Sequence, residues 1–271
     1  MEKAARPIGI FDSGIGGLTV LKEIVDTLPI EGTIYLGDTA RVPYGTRSAE
    51  TVTRYSFENT RFLFSKKIKM LVVACNTVSS VSLEAIRQSV DIPVIGVIEP
   101  GARAAVSATR TGRIGVIGTS ATIRSGAYAT AIRALSPPVE VFGLPCPLFV
   151  PLVEEGWTEG PVVEMTAERY LAEMKTRGID TLVLGCTHYP LLKGVLSKVM
   201  GESVRLIDSA IETAREMRAV LGDLSLLRSA PGAVRREFYV TDSPEKFLDV
   251  GERFLGRTIE HIEKIILESE V

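Results

Sequence analysis

The sequence predicts an α/β protein built from two similar doubly wound α/β domains, related by pseudo-twofold symmetry, with an active site in the cleft between them. Two observations support this prediction. Short β-rich runs alternate with longer segments of helical periodicity, which is typical of parallel sheets covered on both faces. In addition, several short motifs of the first half recur in the second half in the same order and at similar spacing.

The predicted strands are short apolar runs separated by turn residues. In the first half they are IGIF (8–11), TIYLG (33–37), KMLVVA (69–74) and PVIGV (93–97). In the second half they are RIGVIG (113–118), VEVFG (139–143), DTLVLG (180–185) and VRLI (204–207). The longer segments between these runs are interpreted as helices, so the pattern predicts βα units.

Three helix starts can be identified from local signals. Ser209 and Glu212 have the spacing of a capping box. Ser243 followed by Pro244 predicts the start of another helix, because proline suits a first helical turn. Thr77 is expected to cap a helix that follows the third predicted strand.

Motif pairs in register indicate an internal repeat. The pairs are IGIFDS at 8 and IGVIGT at 114, VP at 42 and 150, and single cysteines at 75 and 186, with offsets of 106, 108 and 111 residues. The predicted crossover lies near residue 99, and the C-terminal helices with REFYV (236–240) are expected to return to the first unit. The predicted domains are therefore 1–98 with 209–271, and 99–208.

Composition excludes several classes of protein. The chain has 271 residues, 45% of them hydrophobic and 24% charged, and a net charge of −2, so no nucleic-acid or membrane partner is expected. No segment approaches the roughly 20 apolar residues that span a bilayer, and the N-terminus lacks the apolar core of a secretory signal. Three widely spaced cysteines fit a reducing compartment, so we expect a cytoplasmic protein.

Two of the three cysteines are candidate catalytic groups. Cys75 and Cys186 each end an apolar run where a helix is about to begin, and each is followed by polar residues. In doubly wound sheets ligands bind at this edge, and the field of a helix N-terminus favours a thiolate. Cys146, in LPCPLF, is interpreted as a packing residue, as most free cysteines are.

A pair of thiols on facing domains suits racemisation. One sulfur removes a proton from one face of a carbon while the other returns a proton to the opposite face, and the two exchange roles in the reverse reaction. A zinc site formed by Cys75, Cys186 and His188 is disfavoured, because zinc usually takes four ligands at short range.

The chain resembles the glutamate racemases of the cofactor-independent aspartate/glutamate racemase superfamily. The motifs are GIFDSGIGGLTV, DTARVPYG, ACNT, FVPLVEEG and GCTHYPLL, in this order between residues 8 and about 211. The resemblance implies a racemase that converts L-glutamate to D-glutamate for peptidoglycan biosynthesis, without pyridoxal phosphate or metal. It is compatible with a homodimer. Racemisation of aspartate or another amino acid on the same fold is the alternative.

The resemblance also implies roles for particular residues. Cys75 and Cys186 would be the acid/base pair, with Asp12 acting on Cys75 and with His188 and Glu154 acting on Cys186. The expected substrate-binding residues are Asp12, Ser13, Tyr44, Gly45, Asn76, Thr77, Thr187 and His188, and Thr119 and Thr122 are further candidates. From local sequence alone, Asp12 could equally form an Asx turn.

Overall fold

The computed structural model describes residues 3–229 and 234–267, so positions 1–2, 230–233 and 268–271 of the predicted first domain lie outside the described residues. Over the described ranges the strands are β1 (Ile8–Asp12), β2 (Thr33–Gly37), β3 (Met70–Val73), β4 (Val94–Gly96), β5 (Arg113–Gly118), β6 (Glu140–Pro145), β7 (Thr181–Gly185), β8 (Arg205–Asp208), β9 (Arg236–Val240) and β10 (Ile262–Lys264). The helices are α1 (Leu18–Thr27), α2 (Ala49–Ser65), α3 (Asn76–Val81), α4 (Leu83–Ser89), α5 (Ile98–Ala108), α6 (Ser120–Ser125), α7 (Ala127–Leu135), α8 (Phe149–Glu154), α9 (Pro161–Thr176), α10 (Lys193–Met200), α11 (Ser209–Asp223) and α12 (Pro244–Leu255). Two 3₁₀ turns cover Tyr44–Thr46 and Tyr189–Leu192.

The strands form two parallel sheets, which confirms the predicted fold class. One sheet has the order β10-β9-β2-β1-β3-β4 and the other has the order β6-β5-β7-β8. Neighbouring strands are parallel throughout both sheets. The central strands β1, β3 and β7 are buried along their whole length, as expected for strands covered on both faces.

The predicted repeat is present in the topology of the sheets. The order β2-β1-β3-β4 in the first sheet corresponds to β6-β5-β7-β8 in the second. In each half the first strand of the repeat pairs with the two strands that follow it along the chain. Cys75 and Cys186 follow the equivalent strands β3 and β7, so they occupy equivalent positions in the two sheets.

Two predicted caps are wrong. Helix α11 begins at Ser209, but its cap is Asp208, whose carboxylate accepts a hydrogen bond from the Ala210 amide at 2.9 Å. Helix α3 is preceded by Cys75 at its cap position and Thr77 lies inside its first turn. Strand β8 continues directly into α11, and only two residues separate β3 from α3, so each helix starts one or two residues earlier than the local signal suggests.

The C-terminal segment returns to the first sheet. Strand β9 pairs with β2, and β10 pairs with β9. Strand β10 was not predicted, because its sequence IEK is polar and two of its three residues are exposed at the sheet edge. These pairings support the division into 1–98 with 209–271 and 99–208, which we retain as a proposal. No helix in the described ranges is long and apolar enough to cross a membrane.

A buried ion pair connects three distant segments of the first sheet. Lys69 Nζ lies 2.5 Å from Glu31 Oε2, and both side chains are 1% exposed. Lys69 also donates to the carbonyl oxygens of Ala4 and Leu226, while Glu31 accepts from the Arg228 amide. The pair therefore joins the N-terminal segment and the linker after α11 to the strand that precedes Cys75.

Replacement of Lys69 by methionine is expected to destabilise the protein by about 3–5 kcal/mol, because it leaves the Glu31 carboxylate buried without its cation. The free energy of unfolding in urea measures this loss. The matched control is Lys198→Met, since Lys198 pairs with Glu164 at the surface and its loss should cost less than about 1 kcal/mol. Equal effects of the two changes would contradict the prediction.

Candidate active site

A cavity of about 390 Å³ lies between the carboxyl ends of the two sheets. Both halves of the chain line it. Ten of the predicted site residues line the cavity: Ser13, Tyr44, Gly45, Cys75, Asn76, Thr77, Glu154, Cys186, Thr187 and His188. Thr119 also lines it, whereas Asp12 and Thr122 are buried behind the wall.

The Cys75 side of the cavity is formed by the ends of β1 and β3. The Cys75 thiol donates to Ser13 Oγ at 3.4 Å. Burial, together with the negative charge of Asp12, raises the pKa of Cys75 to about 12. The expectation that the helix field would favour the Cys75 thiolate is therefore wrong, because desolvation and the nearby carboxylate outweigh the field.

Asp12 is 1% exposed and lies directly behind this side of the cavity. Its Oδ2 accepts a hydrogen bond from the Gly14 amide at 2.9 Å, which is the predicted Asx turn, while its Oδ1 has no hydrogen-bond partner. Burial raises the pKa of Asp12, and the charge of His188 opposes this rise. Asp12 thus forms the turn and also lies close enough to influence both Cys75 and His188.

On the opposite side, Cys186, His188 and Glu154 form the Cys186 cluster. His188 Nδ1 lies 3.8 Å from Cys186 Sγ, and His188 Nε2 lies 3.1 Å from Glu154 Oε1. The hydrogen bond from His188 lowers the pKa of Glu154. Burial on its own lowers the pKa of His188, but the hydrogen bonds and charges of Cys186 and Glu154 outweigh burial and raise it to about 10. At neutral pH the ring is therefore an imidazolium, and its Nδ1 faces Cys186 Sγ.

Hydroxyl groups from both halves meet at one wall of the cavity. Thr77 Oγ1 lies 3.0 Å from Thr119 Oγ1 and 3.4 Å from Thr122 Oγ1, and the last two are 3.0 Å apart. Beside this hydroxyl cluster, the Asn76 side chain is 2% exposed and its Nδ2 has no partner in the structure. The wall thus offers neutral hydrogen-bond donors to a ligand.

Tyr44 supports the cavity wall through a contact outside the cavity. Its hydroxyl donates to Asp38 Oδ2 and accepts from Asn59 Nδ2. Asp38 is fully buried, and its other oxygen accepts a hydrogen bond from Thr241 Oγ1 at 2.9 Å. The Tyr44 hydroxyl is therefore engaged by Asp38 and Asn59, and Thr241, which follows β9, helps to fix this wall.

Sequence reasoning missed two contributions from α12. Phe254 packs edge-on against the His188 ring, with ring centroids 5.2 Å apart. Arg253 Nη2 donates to the Glu154 carbonyl oxygen at 3.0 Å. Nothing in the helical periodicity of α12 pointed to the Cys186 cluster, because the two contacts join residues that are 66 and 99 positions apart in the chain.

Several further lining residues were also missed: Gly14, Ile15, Val42, Pro43, Thr46, Ser120, Pro147, Val150 and Pro151. The sequence did contain a signal for four of them. Both VP dipeptides of the internal repeat, 42–43 and 150–151, line the same cavity from opposite halves. In the residues that the structure describes, no group of three or more His, Cys, Asp or Glu side chains is arranged to hold a metal ion.

Comparison with known proteins places this geometry in context. The family model Asp/Glu/Hydantoin racemase matches residues 8–217. The chain is 57% identical over 265 residues to a glutamate racemase from Geobacter metallireducens, with 98% of each chain covered.

Solved structures agree over nearly the whole chain. A glutamate racemase from Francisella tularensis in complex with D-glutamate superposes with a TM-score of 0.93 at 40% identity, covering 98% of this chain and 100% of that one. The Escherichia coli glutamate racemase in complex with L-glutamate and the activator UDP-MurNAc-ala has a TM-score of 0.80 at 31% identity, covering 97% and 99%.

The environments of the two sulfurs predict different reactivity. We expect iodoacetamide to alkylate Cys186 faster than Cys75 between pH 6 and 9, because Cys75 is a thiol in this range whereas Cys186 faces the His188 imidazolium. The advantage of Cys186 should decline as the pH approaches about 12, where Cys75 ionises. Peptide mass spectrometry against time measures both rates.

His188→Asn is the matched control for this experiment. It should slow alkylation of Cys186 and leave alkylation of Cys75 within about twofold, because the imidazolium faces Cys186. Since the residues Cys75 and Cys186 are similarly buried, at 5% and 6% exposure, residue exposure does not explain a difference in rate. Faster labelling of Cys75 would contradict the assignment.

Proposed function

The chain belongs to the Asp/Glu/hydantoin racemase family of isomerases, and we propose that it interconverts L- and D-glutamate by proton transfer between Cys75 and Cys186. One observation supports the proposal most strongly. The two thiols follow equivalent strands of two repeated sheets and line one cavity from opposite halves of the chain. A planar carbanion between them can be protonated on either face.

The proposed reaction needs one thiolate and one thiol at its start. The Cys186 thiolate removes the α-proton of one enantiomer, and the electron pair of the broken C–H bond remains on the carbanion. The Cys75 thiol donates its proton to the opposite face, so Cys186 ends as a thiol and Cys75 as a thiolate. The reverse reaction starts from this second state, as expected for a symmetric acid/base pair.

Different partners set the charge on the two sulfurs. The Cys186 cluster places an imidazolium beside Cys186, and Glu154 holds that ring. Burial and, to a smaller extent, the charge of Asp12 raise the pKa of Cys75. The raised pKa keeps a proton on Cys75 until the carbanion forms. Asp12 is proposed to act through Cys75, because it lies behind the cavity and not on its lining.

The cavity presents neutral hydrogen-bond donors, which suit a ligand that carries carboxylate groups. Among the described residues that line it there is no Lys or Arg. The hydroxyl cluster, the Asn76 amide and Thr187 are proposed to donate to the carboxylate oxygens of glutamate. Donors that are already in place stabilise the negative charge that develops in the transition state, which matters in a site that uses no cofactor to spread it.

The biological role is proposed from the relatives. The names of the similar proteins support glutamate as the substrate. On that basis we propose that the chain supplies D-glutamate for peptidoglycan biosynthesis in the cytoplasm, and with it cell-wall biogenesis and cell shape. A homodimer, as the family resemblance allows, is a further proposal. Racemisation of aspartate is the competing activity, and parallel assays with both amino acids distinguish the two.

Replacement of either catalytic cysteine by alanine is expected to lower kcat for inversion by about a thousandfold or more, because each sulfur supplies one of two required proton transfers. Circular dichroism of L-glutamate in D₂O, combined with mass spectrometry of the α-position, measures inversion and deuterium uptake together. The wild type should incorporate one deuterium at the α-carbon as rotation is lost.

Cys146→Ala is the matched control, because Cys146 is buried outside the cavity and should keep kcat within a few fold. All three variants should retain the far-ultraviolet spectrum of the wild type. Near-normal turnover of Cys75→Ala or Cys186→Ala would refute the two-sulfur mechanism. Wild-type activity on aspartate alone would replace the proposed substrate and leave the mechanism standing.

Changes at the supporting residues are expected to affect one proton transfer more than the other. Enantiomers have equal free energy in water, so kcat/KM must fall equally in both directions. The primary isotope effect with α-deuterated glutamate should instead rise in the direction in which the disturbed sulfur removes the proton. His188→Asn and Asp12→Asn should therefore raise it in opposite directions, and a rise in the same direction for both variants would contradict their assignment to different sulfurs.

A further inference from the structure

The side-chain amide of Asn76 is held from the other half of the chain. Asn76 Oδ1 accepts a hydrogen bond from the Tyr128 hydroxyl at 2.8 Å. Asn76 follows β3, whereas Tyr128 belongs to α7 beside the second sheet. Because Oδ1 accepts this hydrogen bond, the amide nitrogen Nδ2 is left for another partner. Nδ2 is buried and has no hydrogen-bond partner in the structure, and the Asn76 residue lines the cavity.

Tyr128 itself is fixed on three sides. It is 3% exposed, and its ring lies in a slot between two glycines. A Cβ added to Gly101 would lie 3.3 Å from the Tyr128 hydroxyl oxygen, and one added to Gly185 would lie 3.1 Å from Cε2 of the ring. The Ser209 side chain lies beside the hydroxyl. Burial raises the pKa of Tyr128, so the hydroxyl keeps its proton and remains a donor.

We propose that Tyr128 is a positioning residue for the racemase reaction, which sets the Asn76 amide so that its N–H groups, and not its oxygen, face the substrate carboxylate. This inference rests on the proposed function. An amide has two nearly isosteric orientations that differ in the places of oxygen and nitrogen. The orientation with Oδ1 toward the cavity would oppose a carboxylate with an acceptor, and the hydrogen bond that the Tyr128 hydroxyl donates to Oδ1 favours the productive orientation.

The orientation of the Asn76 amide, a donor in the first half of the chain, also depends on a contact with the second half. Asn76 immediately follows Cys75, and the hydrogen bond to Tyr128 crosses from the elements of one sheet to those of the other. A displacement of the two halves relative to each other would therefore release the amide. The Asn76 amide is oriented to donate to a carboxylate when the two halves are packed so that Tyr128 reaches Asn76.

Tyr128→Phe is the direct test, since it removes the hydroxyl and keeps the ring in its slot. We expect KM for both glutamate enantiomers to rise about tenfold and kcat to change less than about threefold, the scale of one lost hydrogen bond. Asn76→Ala should raise KM by a similar factor. The double variant Tyr128→Phe/Asn76→Ala should be no worse than Asn76→Ala, because Tyr128 acts through that amide.

Ser209→Ala is the matched control. It removes the other side-chain hydroxyl beside Tyr128 and should leave KM within about twofold, since Asn76 keeps its partner. Multiplicative increases in KM in the double variant, or an unchanged KM in Tyr128→Phe, would overturn the inference. Thermal unfolding of all variants separates a loss of positioning from a general loss of stability.

A second readout does not depend on turnover. The side-chain amide resonances of Asn76, assigned by their disappearance in Asn76→Ala, should shift in Tyr128→Phe and keep their positions in Ser209→Ala. Wild-type protein that racemises neither glutamate nor aspartate would refute the proposed function, and the resonances would then decide the Tyr128 inference by themselves. Unshifted Asn76 resonances in Tyr128→Phe would overturn it.

Discussion

The convergence of strand ends from two parallel sheets on one cavity is the constraint on which the rest of the site depends. All strands of a parallel sheet end at the same edge, and helix N-termini follow them there. The chain builds this edge twice, in the orders β2-β1-β3-β4 and β6-β5-β7-β8. Cys75 and Cys186 are therefore brought to one cavity by the repeat of the fold, without any special local structure around either residue.

The repeat supplies two sulfurs but does not make them equivalent. Burial and the Asp12 carboxylate keep Cys75 protonated, and its thiol donates a hydrogen bond to Ser13 Oγ. Cys186 faces a histidine whose pKa is raised to about 10. The proposed two-base racemisation needs unequal protonation states at any moment, and the two sulfurs have different charged neighbours although they follow equivalent strands.

The C-terminal segment contributes to both sides of the cavity although it carries no proposed catalytic group. Thr241, at the end of β9, donates to the buried Asp38 that holds the Tyr44 wall. Phe254 and Arg253 of α12 contact the Cys186 cluster. The return of the chain to the first sheet is thus part of how the site is positioned, and not merely an extension of the sheet.

The sequence by itself determined the fold class, the eight strands of the repeat and the residues most worth testing. The strands can be predicted from apolar runs between turn residues. The offset between the two cysteines is close to that of the other repeated motifs, which indicates that they occupy equivalent positions in the two halves. Tertiary structure alone decided the rest. Desolvation by surrounding atoms reversed the expected ionisation of Cys75, and Tyr128, Phe254 and Thr241 reached the site through contacts distant in sequence. Local patterns record hydrophobic periodicity and turn chemistry, whereas burial, charge proximity and long-range hydrogen bonds exist only once the two halves have packed together.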